Sequence, residues 1–356
     1  MTQIEQKRAS APKAAPQKTW TAKNILRFAL SLGVSVVCLY FVFRHVDFNL
    51  MMEQVKKADH RYTVAFAIAT AAIQVCRIYR WDILIRPFAR ISKRALFRIS
   101  SVGFMLILAL PLRLGEFARP YMLKKEAGVS MTSGLGSIVV ERVVDGLLVV
   151  LLFFATTFYL DSRYTIPTAV KTSGFVAFAF FGGAALVIIT ALLTHGWVPR
   201  VIERIGNPIS EKLTARVVQL LSSFIDGLRS LPNARALAAV IGWTVIYWVI
   251  NGLGLYWMMR AFGWDVPIAA GFMLVSIIVV GIMIPAGPGF LGTFHAALLA
   301  GLSIFGIGET GAAAYGLVVY PITVGITCAF GLPYLFAGKG THVATEIIEE
   351  SNLEAV

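Results

Sequence analysis

Arg113, Glu116 and Arg119, in LPLRLGEFARP, place two guanidiniums and a carboxylate within seven positions at the end of an apolar run. The planar arginine fork matches phosphate and carboxylate oxygens in pairs, so two such forks beside a glycine suggest anion recognition. A chain that breaks at Pro111 and restarts as a helix near Gly115 puts Glu116 and Arg119 three apart on one face, where they can meet. The restart also aims free backbone N–H groups at the break. Glu116 would then hold an arginine or accept from an amine. The alternative is a structural ion pair, or arginines snorkelling to an interface.

Glu141, Arg142 and Asp145, in IVVERVVDGLLVV, interrupt an apolar stretch with no turn residue nearby. Charges at membrane depth cost at least ~2.5 kcal/mol each, so these three should face a bundle interior and find partners. Arg113 or Arg119 are the expected ones, in a static salt-bridge network or in a site that contacts lipid. In PAGPGFLGTFH the density of proline and glycine forbids a continuous helix. Pro288, Gly289 and Gly292 mark the break, and Thr293 is placed to cap a helix beginning at His295. This stretch is a second candidate for an anion or head group, or a packing kink. Arg77 and Arg80, in VCRIYRWDIL, end an apolar segment within snorkelling distance of a surface, and that reading is preferred for them. Tyr247, Asn251, Tyr315 and Tyr320 are polar groups in later segments, available to line a cavity or to pack.

No nucleophile, phosphate-loop or metal-ligand pattern accompanies these residues, so neither an enzyme nor a cofactor is expected. Cys38, Cys76 and Cys328 stand singly, which argues against a disulfide or metal framework.

The elements that must position these groups are set by composition. Of 356 residues, 57% are hydrophobic and 14% charged, and mean hydropathy is +0.74; these values define an all-α polytopic integral membrane protein. The net charge of +13 falls in short segments between apolar runs, as orientation and anionic lipid require, and not in a nucleic-acid-binding patch. A basic tail (1–24) precedes a single membrane domain (25–337) and a second tail (338–356), with both termini expected in the cytoplasm of a plasma-membrane protein. About six spanning helices are expected. Ile99–Leu112, with about 14 apolar residues, is too short to cross and reads instead as one leg of a re-entrant hairpin. Pro267–Phe305 reads as a second hairpin entering from the other side. GFML occurs at Gly103–Leu106 and again at Gly271–Leu274, each before a proline-glycine break, which suggests an inverted repeat.

RLGEFAR, VVERVVDGLL and PGFLGTFHAAL together resemble the transmembrane flippase-like family named after lysylphosphatidylglycerol synthases, over about Ile25–Phe336. The resemblance implies movement of phospholipid between leaflets by a stand-alone member, without the cytosolic aminoacyl-transferase domain of the full synthases. It carries over Arg113, Gly115, Glu116, Arg119, Glu141, Arg142, Asp145, Pro288, Gly289 and Gly292. The chain departs from the family at His295, where a glutamate is common. The expected partner is a membrane phospholipid or other lipid phosphate, held at a polar midplane cavity. The competing reading is an intramembrane enzyme, or a synthase subunit working with a lipid-modifying enzyme, that acts on a phospholipid or polyprenyl phosphate.

Overall fold

The computed structural model describes residues 22–193, 197–229, 234–284 and 287–336, without the side chains of 22–31, 111–113 and parts of 188–234. All regular structure among the described residues is helical. Helix α1 (Ala22–Phe43) turns through 85° into the short amphipathic α2 (Phe48–Lys57). Asp47 makes that corner by accepting from the backbone N–H groups of Asn49 and Leu50 at 2.9 and 3.0 Å, satisfying donors that a helix start leaves open. Asp59 caps α3 (His60–Ile85) in the same way.

The first hairpin follows: α4 (Lys93–Ala109), a 3-10 turn (Pro111–Phe117) and α5 (Ala118–Ala127). Ten residues of α5 rise only about 15 Å, half of a bilayer core, so this leg returns to the face it came from. Arg98 on α4 and Glu126 on α5 pair at the hairpin's base. The helical restart therefore lies at Ala118, after a 3-10 turn, and not at Gly115 as the sequence suggested. Gly115 is fixed by packing: a Cβ there would lie 2.2 Å from the backbone of Leu106 and Ile107 on the facing leg.

Helices α6 (Met131–Leu160), α7 (Thr168–Leu193) and α8 (Trp197–Arg229) lead to α9 (Ala234–Ala261). The second hairpin is α10 (Ala269–Met283), a 3-10 turn (Pro288–Phe290) and α11 (Leu291–Ser303), and α12 (Glu309–Tyr334) closes the bundle. Among the described residues α3, α7, α9 and α12 are long and apolar enough to span a membrane, with α1 and α2 together as a bent fifth. At thirty residues α6 exceeds the roughly 20 a span requires, and it carries the three charges of VVERVVDG.

The two halves are inverted. Helices α3 and α9 pack antiparallel along their length: Asp59 N–H donates to Ala261 O (2.9 Å) at one end, and Arg80 reaches Thr244 (3.3 Å) near the other. Each hairpin's first leg packs on the helix that follows the opposite hairpin, α4 on α12 and α10 on α6, and the two 3-10 turns touch. The GFML match does not mark equivalent positions, since Gly103 precedes its 3-10 turn by 8 residues and Gly271 by 17. The equivalence lies in the turns, where Pro111-Leu-Arg-Leu-Gly-Glu-Phe117 and Pro288-Gly-Phe-Leu-Gly-Thr-Phe294 share Pro-x-x-Leu-Gly-x-Phe. Gly292 repeats the packing role of Gly115: its Cβ would lie 2.4 Å from Ser35 O on α1.

Gly115→Val should therefore prevent closure of the first hairpin and yield protein that melts far below wild type or fails to accumulate. Gly183→Ala on α7, where nothing lies within 4 Å of the added carbon, should leave the melting temperature equal or slightly higher. Thermal melts in detergent compare the two.

Candidate functional site

Three other helices converge on Glu141 and Asp145 of α6. Arg80, on α3, lies between them, its Nη2 donating to Glu141 Oε1 at 2.8 Å and to Asp145 Oδ2 at 3.0 Å, while Nη1 donates to Asp145 Oδ1. Arg119, the second residue of α5, donates from Nη1 to Glu141 Oε2 at 2.8 Å. Arg142 donates from Nη2 to Glu141 Oε1 at 2.9 Å, and Trp248 Nε1 on α9 donates to Asp145 Oδ1 at 3.1 Å. The pairing of Glu141 with Arg119 fulfils the sequence expectation. The snorkelling assigned to Arg80 is wrong: it is 1% exposed. The one-turn spacing in α6 that puts both carboxylates on one face offers a bidentate seat, and α9 covers it.

Aromatic rings complete the walls. The Arg77 guanidinium lies 3.6 Å from the Phe104 ring centre, and Arg119 lies 4.7 Å from Phe104 and 5.3 Å from Trp81, in the range of cation–π attraction. Arg80 lies 5.3 Å from the Tyr247 ring. Gly103 admits the Arg119 stem, because a Cβ there would stand 2.4 Å from Arg119 Cγ.

Charge and hydrogen bonding are both left unbalanced. Among the described residues, Arg77, Arg80, Arg119 and Arg142 gather about Glu141 and Asp145, with Glu116 acting on Arg142 from the hairpin turn, four positive charges against three negative. Arg119 is 0% exposed, yet its Nε and Nη2 have no hydrogen-bond partner. These two atoms form one edge of the guanidinium, the edge that binds an oxyanion in a fork. Arg80 Nε and Arg142 Nε are likewise buried and unpartnered. Buried donors without acceptors cost about 1–3 kcal/mol each, more when charged, so this arrangement suits an added anion. Arg77, Arg142 and Tyr247 are half-buried around the fully buried Arg80, Arg119 and Glu141.

The side chain of Arg113 lies outside the described residues, and Glu116 is half-buried in the turn. In the described part of the second break, from Gly287 onward, protein groups meet the backbone. Gly287 N–H donates to Ser35 Oγ at 2.8 Å, and Tyr320 donates its hydroxyl hydrogen to Gly289 O at 3.0 Å. Gly289 has a φ of 72° and Phe290 of 55°, left-handed values that turn the chain sharply after Pro288. Helix α11 starts at Leu291, so Thr293 sits within its first turn and is not its cap; its hydroxyl donates back to Phe290 O at 3.4 Å. His295 is buried, bonded through Nδ1 to Leu291 O, among the rings of Phe43, Phe294 and Tyr320. Tyr315 packs against Phe262 and Trp264 and donates to Leu255 O at 2.8 Å. Asn251 is half-buried on α9. Among the described residues no cluster of His, Cys, Asp and Glu is arranged to hold a metal.

Apolar helices long enough to span, two short-legged hairpins and a buried charged network among the described residues define a polytopic α-helical membrane protein. The chain belongs to the lysylphosphatidylglycerol synthase transmembrane-region family, whose profile matches residues 28–331. It is 26% identical over 341 residues to a UPF0104 membrane protein of Methanothermobacter thermautotrophicus, covering 90% of this chain and 98% of that protein. A UPF0104 membrane protein of Methanocaldococcus jannaschii is 27% identical over 212 residues, covering 59% of this chain and 83% of the relative. The glycosyltransferase AglD of Haloferax volcanii is 23% identical over 297 residues, covering 75% of this chain and 47% of that protein. No solved structure matches.

Arg80→Ala would leave Glu141 and Asp145 buried without their shared cation, and stability should fall by about 3–5 kcal/mol. Arg142→Ala, whose side chain is 37% exposed, should cost less than half of that. Denaturant unfolding in mixed micelles distinguishes the two; equal losses would contradict the central placement of Arg80.

Proposed function

We propose that this protein moves a phosphate-bearing lipid between leaflets, with the arginine network as its head-group site. The observation that carries this reading is Arg119, which is fully buried beside the hairpin turns with one guanidinium edge unpaired. The excess positive charge favours an oxyanion, and phosphate fits the open fork. Half-buried Arg142 and Arg77 would receive the phosphate first and pass it to the Arg119 edge, while Glu141 and Asp145 keep the arginines oriented. The lipid tails would remain in the bilayer. The inverted halves supply two related packings whose exchange would open the site to either face. Arg86 and Arg90, after α3, and Lys93, Arg94 and Arg98, in the first turns of α4, gather at the hairpin's base, which favours that face as cytoplasmic, in the plasma membrane.

A second reading is favoured by one comparison: the relative named a glycosyltransferase shares this membrane region within a chain about twice the matched length. The region would then present a lipid phosphate to a modifying enzyme, with the same arginines holding it.

Purified protein in vesicles should accelerate leaflet exchange of fluorescent phospholipids, and Arg142→Gln should slow exchange by about tenfold or more with a smaller loss of stability than Arg80→Ala. Exchange no faster than in empty vesicles, with proton and sodium gradients also imposed, would overturn translocation. A chemically altered lipid in the same incubation would favour the second reading.

A further inference from the structure

At the opposite end of the bundle from the arginine network, the two bases of the second hairpin enclose an open pocket of about 780 Å³. Gly263–Val266, before α10, and Phe305–Gly311, after α11, form most of its wall, and Gln54 of α2 and His45 complete it. Trp248 of the network lies thirteen residues before the end of α9 at Ala261, about 20 Å of helical rise away. The volume is in the range that holds a small organic ligand.

The hydrogen-bonding deficit here is of opposite sign to that in the arginine network. Gln54 Oε1 and Glu309 Oε2 are both buried acceptors without a hydrogen-bond partner. One of the pocket's two carboxylates is already answered. Asp265 is paired with Arg260 at 3.1 Å. Glu309 sits in the first turn of α12, where the helix dipole favours a carboxylate, and His45 Nδ1 lies 3.2 Å from its Oε2 without the alignment of a hydrogen bond. Asp47 N–H donates to Thr310 Oγ1 at 3.2 Å, which leaves that hydroxyl hydrogen free to turn. Gln54 Oε1 and Glu309 Oε2 remain as acceptors without donors, and Trp264 adds an apolar surface beside them.

We infer that this pocket binds a polyhydroxylated group, a sugar ring, whose hydroxyls donate to Gln54 Oε1 and Glu309 Oε2. A sugar ring offers several neutral hydroxyl donors to these two acceptors, whereas an alkylammonium ion offers a single charged head. The same sugar chemistry can arrive free in solution or attached to a lipid, and the pocket's position at the hairpin base admits either. The inference does not depend on the arginine network.

Saturation-transfer NMR on the protein in nanodiscs, free of glycosidic detergent, tests it with methyl α-glucoside, methyl α-mannoside and ethylammonium as probes. At least one glycoside should bind, and Gln54→Leu should weaken it about tenfold. Gly308→Phe offers a second variant, since nothing lies within 4 Å of an added Cβ there; its ring should fill the mouth and abolish the signal without lowering the melting temperature. A glycolipid in the nanodisc that competes with the glycoside would identify the lipid-attached source, and a glycoside signal indifferent to it the free one. Binding of ethylammonium alone, binding unaffected by both variants, or binding of none of the probes would overturn the proposal.

Discussion

A guanidinium within a helical bundle at membrane depth is tolerated only if fixed carboxylates replace the water it gives up. Arg80 meets that condition through Glu141 and Asp145 together, and much of the bundle follows from it. The two acids must share a face of α6, α3 must run beside that face, and α9 must close over it with Thr244 and Trp248. A second guanidinium, from Arg119, can enter because the first hairpin returns and Gly103 clears room for its stem. The network thus ties the hairpin to three long helices, and the hairpin cannot shift without exchanging partners of Glu141.

Shared architecture with unequal chemistry separates the two hairpins. Both turns read Pro-x-x-Leu-Gly-x-Phe, and in both the glycine accepts a close backbone approach. At the positions after the glycine, however, Glu116 and Arg119 in the first hairpin correspond to Thr293 and Ala296 in the second. In the second turn Ser35 accepts from Gly287 N–H and Tyr320 donates to Gly289 O. The charges of the network come from the first half, and the second half supplies Thr244, Trp248 and the frame against which they are held.

Hairpins and their contents were legible in the sequence because short apolar runs ended in proline and glycine are a strong signal against a lipid background. The pairing of Glu141 with Arg119 followed from the cost of leaving either alone. Arg80 was misread because counting residues to the end of a span gives reach but not direction; its burial depends on α9, a helix more than 150 positions away in sequence. Thr293 was misplaced for a local reason: left-handed Gly289 and Phe290 let α11 begin earlier, at Leu291. The GFML match had misled because four apolar residues fit many helix faces, whereas the turn motif has a backbone geometry to satisfy.

The account rests on the Arg119 edge being an anion site. The most direct measurement is a cryo-electron-microscopy map of the protein in nanodiscs of anionic phospholipid. The account predicts head-group density within hydrogen-bond reach of Arg119 Nε and Nη2, with Glu141 still on Nη1. A map in which that edge is turned onto a protein carboxylate, with no lipid density near it, would contradict the account.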